Sequence, residues 1–339
     1  MRFATTRRRF SLRISAAVVA CACGAGALAA SPEKTASLQI RHAKGVTQLP
    51  ATPQRVVVYD VGSLDTMHTL GLPVAGVAKA QFPDYLHAYT DAKVPAAGTL
   101  FEPNYDALSQ IRPDLIIVGG RSAAKFETLS KIAPTVDFTV NTQQLLVDME
   151  RNVTQLAGLY GKQAQGQALV RSLQREVTEL RQLSAQAQPG LLLMAINERL
   201  APQAPGARFG FLFDALGARS AIGAQDVPPR GTAYTFDDVA KLNPEWIYVI
   251  DRNTATGSAP GGAEIIPSPK VFDNAKVKAT AAGQKNQVVF LDPKGWYLMG
   301  SAGPTALRNN VHQLKAAYTQ ALRQESPTPT PTPTPRIKP

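Results

Sequence analysis

Arg121 and Arg252 stand at equivalent places in two copies of one sequence unit. Residues Asn104 to Val118 align without gaps onto Thr235 to Val249, and the same register carries Arg121 onto Arg252. Each copy reads as a short amphipathic helix stopped by a proline-acid pair, Pro113-Asp114 or Pro244-Glu245, then an apolar run suited to a buried parallel strand. Both arginines therefore follow the ends of strands, the first through a tight Gly119-Gly120 exit and the second beside Asp251. A third, Arg208, lies in the glycine-flanked loop Pro205 to Gly210 ahead of a helix. A guanidinium keeps its charge and presents planar donors that bond oxygen atoms or stack on aromatic rings. Three of them facing one gap repel each other unless a compact anion sits between them, so the chemistry expected is anion capture.

The elements needed to place these arginines are legible on either side. The first half offers strands at 55–59 and 74–77, a helix at 64–70 and the repeat strand 115–118. The second offers strands at 190–196, 246–250 and 288–291, with a helix at 211–216. Alternation of strand and helix predicts parallel sheets covered by helices, and the repeat period is far too long for a solenoid, so it signals two similar lobes. Between them, 145–184 is helix-rich and broken at Gly161, leaving a long second helix that crosses from lobe to lobe. The expected fold is α/β: two α/β lobes with parallel sheets joined by a long interlobe helix, and a ligand cleft between lobes at the strand ends. Its boundaries are 37–144 for the N-terminal lobe, 145–186 for the helical connector and 187–324 for the C-terminal lobe.

Residues 1–29 read as a signal peptide. Five arginines precede an apolar stretch, Ile14 to Leu28, and Ala27-Leu28-Ala29 is a small-residue cleavage site. The stretch is too short to span a membrane. Thr6 to Phe10 resembles a twin-arginine motif, so the Sec and twin-arginine routes both fit. Val18 to Cys21 could serve as a lipoprotein box, but the apolar run continues past Cys21, which argues against lipid anchoring. Cys21 and Cys23 are the two cysteines of the chain, and their loss with this segment excludes disulfides, thiolate zinc sites, iron-sulfur clusters and thiol catalysis. Formal charge then falls from +11 to +6, because the segment carries five arginines and no acid or lysine. The remaining basic residues are scattered, unlike a nucleic-acid footprint. At the far end, 325–339 is a solvated, disordered Pro/Thr-rich tail. A periplasmic monomer without a permanent cofactor is expected.

Motifs for catalysis are missing: no G-x-S-x-G elbow, H-E-x-x-H, P-loop or helix-opening G-x-G-x-x-G occurs in the mature chain, so an enzyme is not expected. His42, His68, His87 and His312 are too dispersed for a zinc or manganese receptor. Heme and cobalamin stay open as alternatives, since a basic cleft also suits propionates or a corrinoid phosphate.

Across nearly all of the globular part the chain resembles the siderophore-binding proteins of ABC iron importers, in the branch for ferric catecholates and mixed catecholates. The resemblance is carried by Gly98 to Tyr105, Pro113 to Ile117 with Gly120-Arg121-Ser122, Arg208-Phe209-Gly210 and Gly295-Trp296-Tyr297-Leu298. It implies that Arg121, Arg208 and Arg252 form a basic triad holding a ferric siderophore, with Trp296 beside the pocket. It also implies that Tyr297 lies near the iron and can ligate it where the siderophore leaves a position open. Arg230 stands where the branch carries a histidine that completes iron coordination, and arginine cannot become a metal ligand. The family docks on its permease through acidic residues of both lobes, for which Glu102, Asp237 and Asp238 are the candidates.

Overall fold

The computed structural model describes residues 38–229, 232–300 and 302–325. The signal segment with both cysteines, Arg230 and the Pro/Thr run from Ser326 onward lie outside the described residues.

An antiparallel hairpin, β1 (Leu38–His42) and β2 (Gly45–Leu49), opens the described chain. The first sheet follows, built from β3 (Val56–Val58), β4 (Gly76–Lys79), β5 (Ala96–Thr99), β6 (Leu115–Val118) and β7 (Thr135–Asp137). Its order is β5-β4-β3-β6-β7, with every pairing parallel. The order reverses between β3 and β6, and a crevice opens beyond the carboxyl ends of strands at such a point.

The second sheet contains β8 (Gly190–Ile196), β9 (Arg199–Gln203), β10 (Trp246–Asp251) and β11 (Val288–Leu291) in the order β11-β10-β8-β9. Here the expectation of parallel sheets needs correction. β10 pairs in parallel with β8 and β11, but β9 returns antiparallel from β8 through a tight turn in which Asn197 takes φ 51°. Two residues link β8 to β9, too few for the crossover that a parallel partner requires. β10 shows why the central strands are continuously apolar: Trp246, Tyr248 and Ile250 enter one core cluster, while Ile247 and Val249 enter another on the opposite face.

Both repeat helices form with matching ends. In Tyr105–Ile111 the side chain of Asn104 accepts from the Ala107 N–H at 3.0 Å, and in Phe236–Leu242 Thr235 and Asp238 form a reciprocal cap. Each helix stops at a left-handed residue, Arg112 (φ 51°) or Asn243 (φ 48°), directly before the proline.

Among the described residues, three helices join the first-sheet core to the second-sheet cluster. The helix Leu145–Leu159 gives Met149 and Val153 to the second-sheet cluster and Leu156 and Ala157 to the first. Gly161 (φ 68°) ends that stretch. The helix Gln163–Ser184 then packs Leu169 against both clusters and sends Leu173, Val177 and Leu180 into the second. The last helix, Pro304–Glu325, places Ala306 in the first core and Leu307, Val311 and Leu314 in the second. Its start is pinned by buried Asp65, which accepts from the Ala306 N–H at 2.9 Å and from the Tyr85 hydroxyl at 3.2 Å.

A cationic cleft at the strand ends

Arg121 leaves β6 through Gly119 and Gly120. Gly120 takes φ 48°, a left-handed conformation that glycine adopts without strain. The half-buried guanidinium of Arg121 then reaches the other lobe, donating to the carbonyls of Tyr297 (2.9 Å) and Leu298 (3.1 Å). Those carbonyls belong to a π-turn over Lys294–Leu298, in which the Met299 N–H reaches five residues back to Lys294. Arg208, from the loop after β9, donates to the same Tyr297 carbonyl at 3.1 Å. Two arginines from different lobes therefore meet on one oxygen. Arg208 lies 4.7 Å from the centre of the Phe209 ring and 5.0 Å from that of Tyr297, and Arg121 lies 5.6 Å from the Tyr297 ring. Burial, then the charge of Arg208, makes the Arg121 guanidinium easier to deprotonate than an ordinary arginine, while Tyr297 and Asp60 act the other way.

Arg252 opens the short helix after β10. It donates to the Ser258 carbonyl at 2.8 Å and to Asn253 Oδ1 at 3.1 Å. Asp251 beside it is consumed by structure, accepting from the backbone N–H groups of Thr254 and Ser268.

Two cavities flank Arg121, Leu100 and Leu298, which line both. One, of about 390 Å³, is lined also by Lys79, Gln81, Phe101, Arg252 and Tyr297. The other, of about 220 Å³, is lined also by Asp60, Gly119, Thr142, Arg208 and Phe209. Arg121, Arg208, Arg252 and Tyr297 are thus gathered around one divided cleft, although Arg252 stands in a different compartment from Arg208.

Trp296 is a correction. The sequence placed it against the ligand, but its side chain is fully buried and stacked on Phe211 with ring centres 4.9 Å apart. It lines neither cavity, because the π-turn rotates Trp296 into the second core while Tyr297 faces the cleft. Glu102 is exposed and paired with Lys125 at 2.8 Å, Asp237 is exposed and paired with Lys276 at 2.7 Å, and Asp238 serves the helix cap. The histidines stand away from both cavities. His42 is buried in the β1–β2 hairpin, where burial lowers its proton affinity.

Sequence reasoning missed Lys79, Asp60 and Phe101. Lys79 closes β4 and Asp60 comes two residues after β3, so the strand-end rule that found Arg121 applies to both. Burial raises the affinity of the Asp60 carboxyl for its proton, opposed first by the hydrogen bonds from Ser63 and then by the charge of Arg121.

Comparison with known proteins agrees with this architecture. A family profile described as periplasmic binding protein matches residues 56–294. The petrobactin-binding protein YclQ of Bacillus subtilis is 30% identical over 306 residues, covering 88% of this chain and 94% of the relative. The ferric-anguibactin-binding protein FatB of Vibrio anguillarum is 28% identical over 285 residues, covering 82% and 87%. Among solved structures, the periplasmic catecholate-siderophore binding protein VctP from Vibrio cholerae superposes with a TM-score of 0.75 at 29% identity, covering 83% of this chain and 99% of that one. Heme and cobalamin, open from the sequence, are not favoured by relatives named for siderophores. With two lobes, a cleft at their strand ends and a profile match over most of its length, the chain belongs to the periplasmic binding protein family whose members include the siderophore-binding proteins of ABC importers.

Proposed function

We propose that this chain captures an anionic ferric siderophore, of catecholate type, and hands it as a monomer to the permease of an ABC importer. The observation that carries the reading is the cavity in which Lys79, Arg121 and Arg252 converge beside Tyr297 and Phe101. A ferric tris-catecholate combines three negative charges with flat aromatic rings. The cations answer the charge, and the exposed Phe101 ring offers a stacking face. The relatives named for petrobactin, anguibactin and catecholates support the same ligand class. Iron enters as cargo, and the Tyr297 phenol can meet it only at a coordination position the chelate leaves open. With Arg230 in place of the family's histidine, a chelate that fills all six positions suits the site best. Residues 1–29 fit export to the periplasm by the Sec or twin-arginine route, with removal of the signal.

Titrating the mature protein with a ferric tris-catecholate is expected to shift the charge-transfer band of the chelate saturably, with affinity falling as salt rises. Hemin and cobalamin are expected to bind more weakly. Tighter binding of either would overturn the reading.

Delivery requires contact from both lobes. In the gap-free repeat register the mate of Asp237 is Asp106, the second residue of its helix, exposed and without an ion pair among the described residues. Asp106 thus joins Glu102 and Asp237 as a docking candidate, whereas Asp238 is occupied by the cap. Reversing both charges, Asp106→Lys with Asp237→Lys, is expected to lower transporter-dependent uptake by about tenfold or more through lost electrostatic pairing. Affinity for the chelate should stay within about twofold, the range expected of rim charges remote from the ligand. Unchanged uptake would remove this docking pair.

A further inference from the structure

The compartment holding Arg208 differs from its neighbour by containing a carboxylate. Asp60 caps the helix Val61–Thr69, and its Oδ2 accepts from both the N–H and the hydroxyl of Ser63, each at 2.7 Å. That occupies one carboxyl oxygen. Oδ1 has no hydrogen-bond donor among the described residues, and Asp60 forms no ion pair there within 4.0 Å, although Arg121 lines the same cavity. Gly119 leaves room for the carboxyl: a Cβ at that position would come within 2.8 Å of the Asp60 carboxyl carbon and 3.0 Å of Oδ1.

A bare carboxylate oxygen in an anion site weakens binding of any ligand that offers only negative oxygens there, because like charges repel and the acceptor loses water without gaining a donor. The same oxygen strengthens binding of a ligand that places a donor opposite it. We propose that Asp60 Oδ1 recognises an N–H donor, a protonated amine, carried by the chelate whose oxygens face Arg121 and Arg208. The cleft thereby selects a chelate of mixed charge over one that is anionic throughout. This rests on the siderophore-binding reading above and names the ligand subclass within it.

The test compares two ferric catecholates that share their iron-binding groups. One has a linker with secondary amines protonated at pH 7, the other an ether-oxygen linker of equal length. Asp60→Asn retains an oxygen to cap Ser63 and loses the charge, and Asp60→Ser retains a cap with a shorter side chain. Loss of one charge-assisted hydrogen bond is expected to weaken binding of the amine chelate by about tenfold in both variants. Binding of the ether chelate should hold or tighten. Equal tightening of both chelates would show that Asp60 serves only as a counter-charge to Arg121, and no change in either would leave it a helix cap; each result overturns the inference while the functional reading stands. Failure of the wild-type protein to bind either chelate would overturn the functional reading itself.

Discussion

Replacing Arg121 and Arg252 together by alanine is expected to weaken binding of a ferric tris-catecholate by about a hundredfold or more, since each charge-assisted contact contributes about 1.5–3 kcal/mol. The salt dependence of binding should flatten in parallel, because two of the cations lining the larger cavity disappear. The two arginines belong to different lobes and hold different partners, so their single variants report separately. Among the described residues, Arg252→Ala breaks hydrogen bonds that are local, to Ser258 and Asn253. Arg121→Ala also removes the bridge to the π-turn, where Arg208 still serves the Tyr297 carbonyl but the Leu298 carbonyl loses its donor. Urea unfolding of Arg121→Ala therefore accompanies the titration, to separate lost ligand contacts from a loosened cleft. Unchanged affinity in a folded double variant would refute the site.

Trp296→Ala is expected to destabilise the chain by about 3–5 kcal/mol, the usual range for deleting a large aromatic side chain from a packed core. The indole is fully buried and parallel to the Phe211 ring within 13°. Trp296→Phe is expected to cost far less. Phenylalanine keeps the stack, and the buried indole N–H has no hydrogen-bond partner among the described residues, so none of them is left unpaired when it is removed. Denaturant unfolding measures both. Chelate affinity of Trp296→Phe should match the wild type; a clear loss there would restore the ligand contact that the sequence suggested. A cost below about 1 kcal/mol for the alanine variant would contradict the core placement, since cavities of this size do not close without strain.

The repeat made the principal features of the site legible. A gap-free register fixes strand ends, and strand ends are where open α/β sheets put their ligands. Arg121 and Arg252 followed directly, as did the Gly161 break, because glycine at positive φ is written in the residue itself. Asp106 was equally available, being the register mate of Asp237, whereas Glu102 came from the family resemblance and not from the repeat. Lys79 and Asp60 were obscured because β4 runs to Lys79 rather than stopping at Val77 and because the helix starts at Val61 rather than Leu64, which makes Asp60 its cap.

What the sequence determined by itself was periodic and local: which runs are buried strands, where helices stop, and which charges stand at matched strand ends. What only the tertiary structure decided was the direction of adjacent side chains in a segment of unusual winding. Trp296 and Tyr297 are neighbours in sequence, yet a π-turn sends one into the core and the other to the cleft. The antiparallel return of β9 and the meeting of Arg121 and Arg208 on one carbonyl likewise depend on pairings between distant segments. Such pairings arise from packing of whole faces, and no single residue along the chain records them.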